Sequence, residues 1–312
     1  MDKAKEKGCE IIKVTDLKNG LEDYKDYLDD QEFSKKTMRS YIYAVERLIE
    51  HFEKKNIDEF TKRDIREYRD EMFEQGYKAK TINTYLVCIN KCLRYILKTP
   101  EREKTPYAVK QIKVQRKKSV ENVLSPQETE RMIRKAKRLG MMDVYFLLKV
   151  LYMSGIRAYE LRFITVDRLK DKFIQVRNKG KVRDIIIPQD LRREMRKWCE
   201  SNEFTGYVFE SRYGPKAKPG HVIHESTVWR KIQRIGGLTK GIRKDKLHPH
   251  SLRHAFAKNY IAVHGNVADL ADILGHEDTK TTQIYTQGTR EELKERVDNL
   301  QKEVRKKSHN GD

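Results

Sequence analysis

The side chains in this sequence that could do chemistry together are two arginines, two histidines and a tyrosine. Arg157 follows Ser-Gly-Ile, His250 and Arg253 are three residues apart, and Tyr285 lies nine residues after His276. A planar guanidinium can grip two phosphate oxygens through paired, charge-assisted hydrogen bonds. A phenol can attack phosphorus when a base or nearby positive charge helps to remove its proton. These residue types indicate chemistry on a phosphodiester.

The charge of the chain favours a polyanionic partner. Its 312 residues include 67 Lys and Arg against 47 Asp and Glu, a formal net charge of +20. Such a surface attracts a polyanion through counterion release and long-range steering, and nucleic acid is the partner that this favours. Ribosomal, membrane-surface and thermophilic proteins are also basic, so charge alone does not select nucleic acid.

The cysteines and the hydropathy indicate a cytoplasmic protein that does not contact a membrane. Cys9, Cys88, Cys92 and Cys199 form no CxxC pair and no spacing typical of a disulfide framework, which indicates a reducing compartment. No apolar stretch approaches the length of about 18 residues that spans a bilayer, and the N-terminus is too polar for a signal peptide.

The first part of the chain has the apolar periodicity of a small helical bundle over residues 15–98. Apolar residues recur at steps of three and four, with Ser34 and Thr61 as helix caps and Gly76 as a helix end. The pattern then stops between residues 99 and 122, where two prolines and the basic run Arg116-Lys117-Lys118 predict an interdomain linker. The linker could lie along a DNA backbone or be a solvated tether.

The second part of the chain predicts a mostly helical domain with a small sheet. Ser125-Pro126-Gln127-Glu128 is a capping box that begins a helix, and residues 143–153 predict a buried one. Alternating residues over 172–188 predict a β-hairpin, and a Gly/Pro-rich loop is expected around 214–220. The remaining helices are expected over residues 225–235, 250–263, 267–274, 279–286 and 290–306. The fold class is therefore mainly α with a small β-sheet (α+β), in two domains.

From about residue 124 to 290 the sequence resembles the catalytic domain of the tyrosine recombinases, the phage integrase and Xer-type family. Six positions agree in order and spacing with the catalytic residues of that family. They are Arg157 in SGIRAYEL, Lys179 in NKGK, His250 and Arg253 in HSLRHAFA, His276 in LGH, and Tyr285 in TTQIYT. Glu160 agrees with the acidic residue that follows the first arginine of the family.

The resemblance implies a role for each of these residues. Tyr285 would attack the scissile phosphate and form a 3′-phosphotyrosyl link, which keeps the bond energy for rejoining, so no nucleotide cofactor and no metal are expected. Arg157 and Arg253 would hold the nonbridging oxygens, and His276 would add a hydrogen bond. His250 would help to accept the tyrosine proton, Lys179 would protonate the leaving 5′ oxygen, and Glu160 would support the arginines. Lys181 is a neighbouring candidate for the lysine role.

The same resemblance implies a domain plan and partners. Residues 1–98 would be a helical, SAM-like core-binding domain, 99–122 the linker, 123–289 the catalytic domain and 290–312 a C-terminal helix and tail. That helix carries apolar residues at Leu293, Val297, Leu300 and Val304, and it either docks on a neighbouring subunit or folds back on its own domain. The expected partner is double-stranded DNA, bound by a homotetramer on two sites, with possible accessory DNA-bending or regulatory proteins.

The function implied is site-specific recombination of DNA, for integration, excision or dimer resolution. Two alternatives stay open at this point. A type IB topoisomerase shares the Arg, Lys, His and Tyr chemistry but works as a monomer on one duplex. A catalytically silent DNA-binding protein could keep the same fold for an architectural role.

Overall fold

The protein divides into two compact units, Met1–Arg116 and Lys117–Asp312. The structure, a computed structural model, describes residues 11–98, 108–113, 123–178, 181–211, 218–275, 279–286 and Lys294. Across these residues the chain is mainly helical with small antiparallel sheets, so the predicted fold class is confirmed. Of these same residues, no helix is long and apolar enough to cross a membrane.

The first unit is built on a bundle of helices, as the periodicity predicts. The helices are α1 (Val14–Asp30), α2 (Lys35–Lys54), α3 (Lys62–Glu74) and α4 (Ala79–Ile96). A short sheet that the sequence did not predict pairs β1 (Ile12–Lys13) with β2 (Glu59–Phe60). The helices form where the caps predict them: Ser34 Oγ accepts a hydrogen bond from the Thr37 amide at 3.2 Å, and Thr61 and Asp64 form a capping box.

Two asparagines of α4 hold part of the predicted linker on the first unit. Asn90 exchanges two hydrogen bonds with the backbone of Val109, both at 3.2 Å. Asn83 does the same with Ile112, at 2.8 and 2.9 Å. Val109 is buried in the core of this unit. Residues 108–113 therefore belong to the packed structure of the bundle, while Arg116, Lys117 and Lys118 lie outside the described residues.

The second unit packs helices around one large apolar core and a smaller apolar cluster formed by α9, α10 and Tyr285. Its helices are α5 (Pro126–Arg138), α6 (Met142–Ser154), α7 (Gln189–Ser201), α8 (Glu225–Gly237), α9 (Pro249–His264), α10 (Val267–Leu274) and α11 (Thr279–Gln283). Its strands are β3 (Ile174–Asn178), β4 (Lys181–Ile185), β5 (Glu210–Ser211) and β6 (Lys218–Val222), and short 3-10 helices span Ala158–Phe163, Asp167–Lys170 and Lys244–Lys246. The β3–β4 hairpin and the α5 capping box are confirmed.

Two expectations from the sequence differ from the structure. Lys218–Val222 forms strand β6, paired with β5, where a loop was expected. The Gly/Pro-rich composition predicts a loop, but the strand forms with an irregular register, and Gly220 in it takes a φ of +77°. Helix α11 ends at Gln283, before the predicted end at 286, and the Tyr285 amide donates to the Thr282 carbonyl at 3.0 Å in the turn that follows. The helix predicted over 290–306 lies outside the described residues except for Lys294.

Gly155 ends α6 in a place where only glycine fits. Helix α6 is buried on most of its surface and runs directly into the Arg157 segment. Gly155 has a φ of +61°, and a Cβ atom there would lie 2.3 Å from Cδ1 of Phe256 on α9. The close approach of α6 and α9 therefore depends on the absence of a side chain at Gly155. This approach fixes the position of the segment that carries Arg157.

We predict that Gly155→Ala lowers the free energy of unfolding of the second unit by about 2–5 kcal/mol. The left-handed conformation costs an alanine about 1–2 kcal/mol, and the clash with Phe256 adds about 1–3 kcal/mol. Urea unfolding followed by tryptophan fluorescence measures this unit, because both tryptophans of the chain, Trp198 and Trp229, belong to it.

The matched control is Gly140→Ala. Gly140 ends α5 with a φ of +69°, and a Cβ atom there would meet nothing within 4 Å. It should cost only the backbone strain, about 1–2 kcal/mol. Equal losses for the two variants would contradict the role given to the Phe256 contact.

Candidate active site

The N-terminal part of α9 carries His250 and Arg253, which are three residues apart. His248 caps this helix, its Nδ1 accepting a hydrogen bond from the Ser251 amide at 3.0 Å, and Pro249 occupies the first turn. Ser251 Oγ accepts a hydrogen bond from the Leu124 amide at 3.0 Å, which ties the helix to the segment that precedes α5. The start of α9 is thus fixed at both its cap and its buried face, and His250 and Arg253 are held on it.

Arg253 is buried between the ends of two other helices. Arg253 is only 3% exposed. Nη1 donates to the Gly155 carbonyl at 2.6 Å and Nη2 donates to the Leu274 carbonyl at 2.7 Å. Burial, together with the positive charge of Arg157, lowers the pKa of Arg253 to about 10. The guanidinium is therefore held rigidly, and it remains charged at neutral pH.

Arg157 is held by Glu160 and by the turn before His276. Its amide donates to Glu160 Oε2 at 2.7 Å, and its Nη1 lies 3.4 Å from Oε1 of the same carboxylate. Its Nη2 donates to the Gly275 carbonyl at 3.2 Å. About a third of the side chain, 34%, stays exposed. Arg157 does pair with Glu160, as a purely structural arginine would, and it also keeps an accessible face.

Arg183 is a member of this cluster to which the sequence analysis gave no role. From β4 it grips the Glu160 carboxylate with two donors, Nε to Oε1 at 3.0 Å and Nη2 to Oε2 at 2.5 Å. Its Nη1 donates to the Ile273 carbonyl at 2.6 Å. A Cβ atom on Gly275 would lie 2.4 Å from Arg183 Cδ, so the glycine leaves room for this side chain.

The sequence did contain a signal for Arg183. In the β3–β4 register Val176 pairs with Arg183, and Ile174 pairs with Ile185. Strand alternation therefore puts Arg183 on the face that carries the buried residues Ile174, Val176 and Ile185. A charged side chain on the apolar face of a hairpin must find a partner, and the buried carboxylate of Glu160, 1% exposed, is that partner.

A surface pocket of about 540 Å³ lies beside Arg157 and His250. Other lining residues include Tyr159, Glu225, Trp229 and His248. Burial lowers the pKa of His250, and the positive charge of Arg253 lowers it further. His250 is therefore neutral at physiological pH and can accept as well as donate a hydrogen bond in this pocket.

Tyr285 lies in a small apolar cluster with its hydroxyl on an imidazole. The residue is 5% exposed and packs with Ala257, Leu270 and Leu274. Its Oη lies 2.7 Å from Nδ1 of His254, the residue after Arg253. Burial raises the pKa of Tyr285, while the positive charges of Arg253 and Arg157 act in the opposite direction and leave a net increase.

The structure brings together most of the residues that the sequence singled out. Arg157, Glu160, His250, Arg253 and Tyr285 contact one another or influence one another electrostatically. Lys179 and His276 lie outside the described residues, although the strands on each side of Lys179 and the residue before His276 are described. In the described part of the chain, no group of three or more His, Cys, Asp or Glu side chains is arranged to hold a metal ion.

Comparison with known proteins identifies the family. The sequence model of the phage integrase family matches residues 122–292, and that of the phage integrase N-terminal SAM-like domain matches residues 21–103. The chain belongs to the phage integrase family. The predicted resemblance is therefore confirmed, and the positively charged cluster with its tyrosine falls inside the region 122–292 that the family model matches.

This phage integrase family member is similar to curated relatives over only part of their length. The chain is 33% identical over 147 residues to tyrosine recombinase XerC of Pseudomonas savastanoi pv. phaseolicola, covering 45% of this chain and 46% of the relative. It is 32% identical over 187 residues to tyrosine recombinase XerA of Pyrococcus furiosus, covering 58% and 62%. The match thus spans less than half of the XerC relative and less than two thirds of the XerA relative.

Solved structures share the fold. XerH site-specific recombinase bound to its difH substrate matches with a TM-score of 0.64 and 19% identity, over 90% of this chain and 83% of that chain. A lambda integrase dimer bound to a COC′ core site matches with a TM-score of 0.66 and 14% identity, over 89% and 78%. These similarities extend over both units of the chain.

We predict that Arg183→Met lowers the free energy of unfolding of the second unit by about 3 kcal/mol. The substitution leaves the buried Glu160 carboxylate with Arg157 as its remaining guanidinium partner, and breaking a buried ion pair typically costs about 3–5 kcal/mol. The same urea unfolding experiment measures the loss.

Arg193→Met is the matched control for Arg183→Met. Arg193 lies on α7, is 61% exposed and pairs loosely with Asp190 at 3.8 Å, so its loss should cost less than about 1 kcal/mol. Adding Glu160→Gln to Arg183→Met should recover part of the loss. A further additive loss would argue against a coupled pair.

Proposed function

We propose that this chain is a site-specific DNA recombinase that cleaves and rejoins DNA through a covalent 3′-phosphotyrosyl intermediate. The observation that carries the proposal is electrostatic: the hydroxyl of Tyr285 lies within the influence of the positive charges of Arg157 and Arg253. Both guanidiniums are fixed by backbone carbonyls before any phosphate binds. This is the arrangement that an attacking phenol and a phosphodiester require.

The proposed step exchanges one phosphoester bond for another. Tyr285 Oη forms a bond to phosphorus, the bond from phosphorus to the 5′ oxygen breaks, and the 5′ oxygen leaves as a hydroxyl after taking up a proton. Arg157 and Arg253 stabilise the charge that grows on the nonbridging oxygens. Because the new ester keeps the energy of the old one, the reverse step can rejoin DNA without a nucleotide cofactor.

The remaining family positions complete the proposed mechanism. Lys179 is proposed to give the proton to the 5′ oxygen, and His276 to donate a hydrogen bond to the phosphate. His250 lines the pocket beside Arg157, where its neutral imidazole can contact the same phosphate. Glu160 is proposed to support the arginines, which its contacts with Arg157 and Arg183 favour.

The proposed partner is double-stranded DNA, bound by four copies of the chain on two sites. Support comes from the net charge of +20 and from related structures in which XerH recombinase is bound to difH, and a lambda integrase tetramer to a Holliday junction. Residues 1–98 are proposed as the core-binding domain, 99–122 as a linker whose residues 108–113 pack on that domain, 123–289 as the catalytic domain and 290–312 as a subunit-exchange element. Integration, excision and dimer resolution are the biological outcomes that such an enzyme serves.

We predict that Tyr285→Phe abolishes the covalent adduct while DNA affinity stays within about twofold, because one hydroxyl contributes little to a phosphate-dominated interface. Covalent complexes of the unaltered protein with sheared DNA from its source are first trapped in detergent, and the bound fragments are sequenced. A duplex of the recovered sequence, nicked next to the cleavage point, then gives the adduct in a denaturing gel.

Tyr260→Phe is the control for Tyr285→Phe, since this tyrosine lies on α9 among the same apolar residues. It should form the adduct at the rate of the unaltered protein. An adduct that survives Tyr285→Phe would contradict the proposal, and the absence of any adduct with the unaltered protein would favour a silent DNA-binding protein. Relaxation of a one-site plasmid without exchange between molecules would favour a topoisomerase.

We predict that Arg253→Ala slows adduct formation at saturating DNA by at least about a hundredfold, as loss of a transition-state hydrogen-bond donor does elsewhere. Arg243→Ala is the control: its side chain is 67% exposed and pairs with Asp245, and its loss should leave the rate at saturation unchanged. A decrease of less than about tenfold for Arg253→Ala would remove this residue from the catalytic group.

A further inference from the structure

The hydroxyl of Tyr285 is hydrogen-bonded to an imidazole that lies outside the set of six family positions. Oη of Tyr285 and Nδ1 of His254 are 2.7 Å apart, and the two ring centroids are separated by 5.4 Å. His254 is held on α9 directly after Arg253, whose guanidinium is anchored to two carbonyls. The contact is therefore made by a side chain on a rigid element, next to a buried arginine.

The buried phenol must give up a proton in order to react. Burial raises the pKa of Tyr285, so the hydroxyl carries its proton at neutral pH and is able to donate it in the hydrogen bond with His254. A neutral imidazole with its own proton on Nε2 presents a lone pair at Nδ1, which accepts that bond. The buried carboxylate of Glu160 is occupied by two guanidiniums.

We propose that His254 is a catalytic residue that accepts the proton of Tyr285 as the phenol attacks phosphorus. The inference rests on the proposed recombinase function and assigns a proton that the family resemblance gave to His250. The O–H bond of Tyr285 breaks, its electron pair forms the bond to phosphorus, and the proton moves to Nδ1 of His254, which becomes an imidazolium. The electron pair of the broken ester bond leaves with the 5′ oxygen.

His250 and His254, both on α9, then have different tasks. Their ring centroids are 6.4 Å apart, one helical turn along the same face. His250 lines the pocket beside Arg157, where the phosphate is expected, while His254 meets the hydroxyl of the nucleophile. A proton acceptor must lie within hydrogen-bond reach of the proton that it takes, and among the described residues His254 meets this condition at 2.7 Å.

The decisive experiment compares His254→Ala with His254→Asn in single-turnover adduct formation on the nicked duplex. The Asn side chain can offer Oδ1 near the place of Nδ1 and keep the hydrogen bond, but it cannot take up a proton at neutral pH. We expect both variants to be slower by about 10²–10⁴-fold, the usual contribution of a general base. Added imidazole should speed up His254→Ala by filling the space left, and it should not speed up His254→Asn.

A second substrate distinguishes removal of the proton from the nucleophile from donation of a proton to the leaving group. Replacing the 5′ bridging oxygen by sulfur gives a leaving group that needs no proton. The defect of the His254 variants relative to the unaltered protein should stay the same on this substrate, because the proton of the nucleophile must still be removed. Lys179→Ala, which acts on the leaving group in the proposed mechanism, should recover most of its rate there.

His264→Ala is the matched control, because His264 is an exposed histidine on the same helix, and its ring packs against Tyr260 with the ring centroids 4.7 Å apart. It should keep the rate and the imidazole response of the unaltered protein. Should His254→Ala not fold, as judged by its unfolding midpoint, His254→Asn carries the test alone.

Three results would overturn the inference. A rate for His254→Asn close to that of the unaltered protein would show that His254 only orients the tyrosine. Recovery of the His254 variants on the sulfur substrate would show that this residue acts on the leaving group. A rate for His254→Ala equal to or above that of the unaltered protein would show that the hydrogen bond merely holds the tyrosine in place. If the unaltered protein forms no adduct, the recombinase function itself fails.

Discussion

The site depends on one buried carboxylate that keeps two guanidiniums close together. Glu160 is held by two donors of Arg183 and by both the amide and the guanidinium of Arg157. Arg253, close enough to influence both arginines, is anchored instead to carbonyls at the C-terminal ends of α6 and α10, where helix dipoles favour positive charge. Without these partners the like charges would repel one another and the cost of burying them would not be offset.

This fixed charge fits the proposed reaction, because the site would not need to reorganise before it acts on a phosphate. N–H groups of Arg157 and Arg253 donate to backbone and carboxylate oxygens, and these hydrogen bonds fix the orientation of each guanidinium before DNA arrives. The exposed third of Arg157 borders the pocket that His250 lines. Donors fixed in advance cost no reorganisation at the moment of reaction, which is why such arrangements stabilise a developing charge more effectively than water does.

The sequence predicted elements where a periodic or capping signal was local, and it missed contacts that depend on three-dimensional proximity. The helices capped by Ser34, Thr61 and Ser125 form where they were expected. The β5–β6 pairing was missed because it joins residues separated by a Gly/Pro-rich stretch. His254 stood inside the recognised motif, but nothing in the local sequence indicates that its ring meets Tyr285, 31 positions later.

In the proposed mechanism, the arginines alone are not sufficient to activate the tyrosine once DNA is bound. In the free protein their positive charges lower the pKa of Tyr285 against the larger effect of burial. A phosphodiester entering between them brings a negative charge that offsets this influence, so the phenol becomes harder to ionise as the substrate binds. In the proposed mechanism, proton loss therefore accompanies the attack on phosphorus, and the imidazole of His254, already within hydrogen-bond distance of the hydroxyl, is the acceptor at that moment.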